Sequence, residues 1–215
     1  MRASFLSFNH QTSRGSRTCS NWKRQVLSLK KGKQLRILDF DIENRPLSYL
    51  GMDFTTADIT AIAASWMDER KVHVWLLGEV TTEEMLLGFL NLYNQAGIVT
   101  GHYIRGHDLK HINGALMEAN LPVLGRKLVS DTKTDLVKRK GISASQESLA
   151  DILDVGAPKY HMTQKMWRAG NRLEPDGIAE TKRRVVSDIK QHKEMRKRLI
   201  DNGYLAPPSL WTPTP

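Results

Sequence analysis

From residue 38 to residue 43 the chain alternates strictly, with Leu38, Phe40 and Ile42 on one side and Asp39, Asp41 and Glu43 on the other. A period of two predicts a β-strand with one apolar and one acidic face. Residues 44–58 read as a loop. Ile59 to Met67 and Val72 to Leu77 then predict a hairpin around Asp68-Glu69-Arg70, giving three adjacent antiparallel strands. Thr81-x-x-Glu84 forms a capping-box signature, followed by Met85, Leu86, Phe89, Leu90 and Tyr93 at helical spacing and a stop at Gly97. A short buried strand is expected over 98–103, and a helix over 107–120 that ends before Pro122. Residues 127–136 fit either a strand or a helix start. A helix is expected over 143–156, an irregular basic stretch over 157–177, and a long helix over 178–203 closed by Gly203. There is no internal repeat. This order predicts a mixed α/β layer protein.

Composition narrows the class. The chain has 215 residues, enough for one domain with a sizeable core. No run of eighteen apolar residues exists, so no membrane span is expected. A single cysteine, Cys19, excludes an intramolecular disulfide framework and a cysteine zinc cluster. A reducing, cytoplasmic location fits best. The net charge of +9 is concentrated at the start: residues 1–38 carry nine Lys or Arg and no acid. The other 23 basic residues balance the 23 acidic ones. The expected organisation is a basic, disordered arm over residues 1–34, one domain over 35–203, and a Pro-rich surface tail over 204–215. Such an arm can bind phosphate backbones, act as a transit peptide, or remain a solvated tail.

Three carboxylates in a row on one strand face are costly to place, because like charges repel and a half-buried carboxylate loses hydration. Asp41 and Glu43 project to the same side, a suitable start for a hard divalent cation. The plain structural alternative is an acid pair facing solvent. Asp108 opens a predicted helix, where N-capping would explain it and metal ligation remains compatible. Asp188 lies within a helix beside Val185, Val186 and Ile189, where Asp has poor propensity; an ion pair with Arg184 one turn earlier is the competing explanation. His102, His107, His111 and His161 match no strong zinc spacing.

Taken together, "FDIE", "GHYIRGHDL" and "VVSDIKQH" resemble, in this order, the three motifs of the DEDD 3′–5′ exonuclease superfamily, the proofreading-exonuclease-like branch of the ribonuclease H-like fold. The resemblance covers roughly residues 35–200. The stretch 131–159 and the ending "PPSLWTP" look like small exonuclease-like proteins of actinobacterial phages. The resemblance implies a mixed central sheet, with three antiparallel strands plus further parallel strands, flanked by helices. It also implies that Asp41, Glu43, Asp108 and Asp188 are the metal-binding acids, that two Mg²⁺ or Mn²⁺ ions sit among them, and that the reaction is hydrolysis of phosphodiester bonds at the 3′ end of DNA. Single strands or 3′ ends are the implied partners, with RNA not excluded. Arg105, His107 and Arg184 are the implied nucleic-acid-binding residues. The sequence marks no oligomer interface.

One departure stands out. The family places a Tyr four residues, or a His five residues, before its last Asp; here these positions hold Arg184 and Arg183. An arginine stays charged and cannot take a proton from water at neutral pH. His192, one turn after Asp188, is the candidate base from the other side, with a solvated position among Lys190, Lys193 and Arg196 as its alternative. The other readings are hydrolysis with no side-chain base, a catalytically degenerate relative that binds nucleic acid, and a structure-selective, junction-resolvase-like endonuclease on the same fold.

Overall fold

In the computed structural model, residues 35–46 and 57–213 are described; the basic arm and most of the expected 44–58 loop lie outside the described residues. Six strands form one sheet: β1 (Ile37–Pro46), β2 (Ala57–Trp66), β3 (His73–Leu76), β4 (Ile98–Gly101), β5 (Lys127–Asp131) and β6 (Ser209–Trp211). Their order is β3-β2-β1-β4-β5-β6. β1 pairs antiparallel with β2 and parallel with β4, and β4 pairs parallel with β5. Three antiparallel strands continuing into parallel ones, with helices on both faces, are the ribonuclease H-like α/β arrangement.

The alternation in β1 works as the sequence indicates. Leu38, Phe40 and Ile42 are buried with Ile62, Ala64 and Trp66 of β2 in the main core. Helix α1 (Thr82–Gln95) covers that face with Met85, Phe89 and Tyr93, and its Thr81–Glu84 capping box forms. Helix α2 (Asp108–Glu118) adds Leu109, Ile112 and Leu116. On the acidic face, Asp39, Asp41 and Glu43 lie opposite Ser65, Ala63 and Ala61 of β2. Those small side chains let another helix approach closely. It is α6 (Pro175–Asp201), which packs Val185 and Ile189 onto Ala61, Ala63 and Leu76.

Three expectations change. Residues 127–136 are both alternatives in succession: β5 ends at Asp131, which caps α3 (Thr132–Lys140) by accepting from the Thr134 amide at 2.9 Å. After α4 (Gln146–Ile152), the stretch expected to be irregular contains α5 (Gln164–Asn171), capped by Thr163. Its short length and basic residues hid the helical period. The C-terminal stretch is not only a surface tail, because Ser209–Trp211 pairs antiparallel with β5 and extends the sheet.

Helix α6 starts at Pro175, three residues earlier than expected, because proline suits the first helical turn. There α5 and α6 touch through Gly177: a Cβ added at this glycine would lie 2.1 Å from the Ala169 carbonyl carbon. Gly177→Ala is therefore expected to lower stability by about 1–3 kcal/mol, measured by urea denaturation. An unchanged midpoint would show that the helix pair can spread at no cost.

Candidate metal centre

One helix stripe meets one strand face. Arg184, Asp188, His192 and Arg196 recur every four residues along α6, a rise of about 6 Å per step. Alternate residues of a strand are about 6.6 Å apart. The two spacings match, so the stripe runs antiparallel to Glu43, Asp41 and Asp39. Arg184 Nε donates to Glu43 Oε1 at 3.2 Å and lies 2.9 Å from Asp188 Oδ2. His192 Nδ1 lies 2.8 Å from Asp39 Oδ2. Arg196 Nε donates to Thr100 Oγ1 of β4 at 3.0 Å.

Asp41, Glu43 and Asp188 offer carboxylate oxygens that all lie within 4.8 Å of one another, and could hold a metal ion. Asp188 is 5% exposed, and its Oδ1 accepts no hydrogen bond from the described residues. Lys159 Nζ lies 3.9 Å from that oxygen. Asp108 joins the same cavity from the start of α2. Its Oδ1 accepts from the Ile42 amide at 3.2 Å, which ties α2 to β1, and its Oδ2 is 3.4 Å from His107 Nδ1. The cavity has a volume of about 310 Å³ and is lined by all four acids together with His102, Tyr103, His107, Lys133, Lys159 and Arg184.

The electrostatics follow from this crowding. Burial pushes the Asp41 pKa well above the carboxylate range, and Asp108, Asp188 and Glu43 push it further. Burial also raises Asp188, against the opposing pull of Arg184 and Lys159. Glu43 is raised to about 6, again mainly by burial, with Arg184 opposing. His107 is raised by its contact with Asp108. A carboxylate raised from 4.5 to about 6 holds a proton in the folded chain that the unfolded chain has lost. Stability from this group is therefore full below the lower value and is lost as pH rises through the upper one. His102, lowered to about 3 by burial, has the opposite sign. The clean measurement is a difference. Glu43→Gln is expected to gain stability relative to the metal-free wild type between about pH 5 and about pH 7, by up to about 2 kcal/mol. Urea denaturation in EDTA checks it. A difference independent of pH would mean that Glu43 titrates normally.

The placement of the sequence candidates is uneven. Asp41, Glu43, Asp108, Asp188, His107 and Arg184 meet in the cavity. His192 does not line it: the ring is 2% exposed, held between Asp39 and Thr132 Oγ1, with its Nε2 3.2 Å from that hydroxyl. Neither the base position nor the solvated alternative describes it. Asp39, which has no counterpart in the family motif, is its buried partner. Arg105 also lies elsewhere. Its guanidinium donates to the carbonyls of Val129 and Ser209 and to Ser209 Oγ, bracing β6 against β5.

Several residues in or behind the cavity carried no sequence signal. Lys133 and Lys159 stand among many lysines. Tyr103 sits at φ 71°, and its amide and that of Arg105 donate to the two oxygens of the buried Asp131. That clamp offsets the backbone strain and sets the turn that delivers Asp108. The spacing of four that links Arg184, Asp188, His192 and Arg196 is the signal in the sequence that could have shown one polar stripe on α6.

Fold and site together define an α/β protein of the ribonuclease H-like class with a clustered carboxylate set fit for a divalent cation. No family model matches the chain, and no curated protein sequence does. Among solved structures it is similar to the family B DNA polymerase from the hyperthermophilic archaeon Pyrobaculum calidifontis, with a TM-score of 0.60 and 14% identity over 77% of this chain. The similarity spans 24% of that polymerase and shows the fold alone. Among the described residues no helix is long and apolar enough to cross a membrane.

Proposed function

We propose that this chain is a divalent-cation-dependent 3′–5′ exonuclease acting on DNA in the cytoplasm, on single strands or on 3′ ends. The observation that carries this reading is the buried Asp188 Oδ1, which takes no hydrogen bond from the described residues and stands beside Asp41 and Glu43 in an open cavity. A buried carboxylate oxygen without a donor is costly, and a cation with oxygen preference removes that cost. Asp41, Glu43 and Asp188 would hold Mg²⁺ or Mn²⁺, with Asp108 at the edge of the set. The ion supplies Lewis-acid chemistry at a phosphodiester. Lys133, Lys159 and Arg184 line the same cavity and would attract and orient the substrate phosphate, with His107 beside them.

The reading also draws on the order of the three acidic motifs. It is tested with a 5′-labelled single strand, incubated with Mn²⁺, with Mg²⁺ and with EDTA, beside Asp41→Asn. A metal-dependent ladder shortening from the 3′ end and absent in the variant is expected. A circular single strand must stay intact; cutting of the circle would make the protein an endonuclease. An RNA strand in the same assay reads the sugar preference.

One observation favours a second reading, a nucleic-acid-binding relative without catalysis. Arg184 pairs with two of the four acids in the place where the family has a Tyr or His. Oligonucleotide binding with no cleavage under any metal condition would select it.

A further inference from the structure

Arg184 does more than fill a position. It takes one oxygen from each of two acids, Glu43 Oε1 and Asp188 Oδ2. Its Nη1 donates to the Tyr160 carbonyl at 2.9 Å, and the Tyr160 amide donates to Ser187 Oγ at 2.9 Å. The guanidinium is therefore held from both sides, by the acids and by the 157–161 segment lying on α6. Its side chain is 16% exposed. This is a fixed internal cation, unlike a surface arginine that can swing away.

The oxygens that remain open form a single set. Asp108 has one oxygen on the Ile42 amide and the other beside His107. Asp41 has no ion pair among the described residues. With Glu43 Oε2 and the buried, donor-free Asp188 Oδ1, it makes one three-carboxylate ligand group. Charge points the same way. The Arg184 guanidinium already places a positive charge between Glu43 and Asp188, where a second ion would have to share their oxygens and would meet repulsion.

We infer that this site takes one divalent cation, with Arg184 as a permanently resident cation in place of a second ion. The inference rests on the proposed function only in treating Asp41, Glu43 and Asp188 as cation ligands. Its consequence for substrate is specific. The guanidinium would face the phosphate at the end of the strand with its remaining N–H groups, positioning the scissile group by hydrogen bonds where a second ion would do so by coordination.

The experiment is calorimetric titration of the metal-free full chain with Mn²⁺ alone, for wild type, Arg184→Gln and Arg184→Lys, with circular dichroism as the check on folding. Wild type is expected to saturate at one Mn²⁺ per chain, with any further site more than about 100-fold weaker. Arg184→Gln is expected to gain a second site within about tenfold of the first, and Arg184→Lys, which keeps the charge, to remain at one. Two wild-type sites of similar affinity overturn the inference, as does a folded Arg184→Gln that still takes one ion. Should Arg184→Gln not fold, the wild-type and Arg184→Lys stoichiometries decide. Cleavage of a labelled strand by the same samples separates this inference from the function. Two ions with cleavage overturn the single-ion site and leave the nuclease standing. One ion without cleavage supports the single-ion site and removes the nuclease. No saturable site overturns both.

Discussion

Asp41→Asn is expected to melt a few degrees above wild type when metal is absent, and to lose at least about 10³-fold of metal-dependent cleavage. The two effects have one cause. In the metal-free chain the Asp41 carboxylate is disfavoured by burial, and Asp108, Asp188 and Glu43 add repulsion. Its pKa is raised, so ionisation near neutral pH costs stability that an uncharged amide of the same shape returns. The same charge is what a cation would use. Added Mn²⁺ should raise the wild-type melting temperature, as any ligand selective for the native state does, and should leave the variant unmoved. Differential scanning fluorimetry with EDTA and with Mn²⁺ reads both halves. A variant less stable than wild type in EDTA would show that Asp41 already has a favourable partner. Retained cleavage would remove it from the ligand set.

His192→Ala is expected to have the largest effect on stability, a loss of about 3–5 kcal/mol. The ring lies between Asp39 and Thr132, and Asp39 is fully buried. Removing the imidazole takes from the buried Asp39 its hydrogen-bonded partner, leaves it with the nearby charges of Lys193 and Arg196, and opens a hole where the ring stood. Asp39→Ala is expected to cost less than its partner's removal, because the imidazole keeps its hydrogen bond with Thr132 Oγ1. Chemical denaturation measures both. Cleavage per folded molecule, taken well below the transition, should persist in His192→Ala. Abolished cleavage with stability intact would return His192 to the chemistry.

The fold was largely legible because its strongest signals are periodic. The alternation in β1, the capping box at Thr81 and the spacing from Met85 to Tyr93 each depend on neighbours in the chain, and each formed. The four acids were found through motif order, and the structure brings them to one cavity. What escaped depends on contacts across the fold. β6 is three residues long, and its pairing with Lys127–Val129 has no local trace. Asp39 and His192 are 153 residues apart, so nothing near either one announced a buried pair. Arg105 was drawn toward the substrate by its place beside the second acidic motif, but its guanidinium reaches away to Ser209. Residues 127–136 fit either a strand or a helix because Asp131 performs three tasks: it ends a strand, caps a helix and holds the Tyr103 turn. Charge alone did not distinguish an arginine in solvent from Arg184 locked among carboxylates.

The stripe on α6 also sets the order in which this molecule can come alive. During synthesis β1 emerges from the ribosome long before α6, which holds Asp188, Arg184 and His192. Until that helix docks, the acidic face of β1 has neither its third carboxylate, its internal cation nor its cover. A nascent chain halted between β4 and residue 175 holds the strands that pair with β1, yet has no complete ligand group. The helix that finishes the structure is the one that completes the ligand group, so a half-made chain cannot yet gather the three carboxylates around a cation.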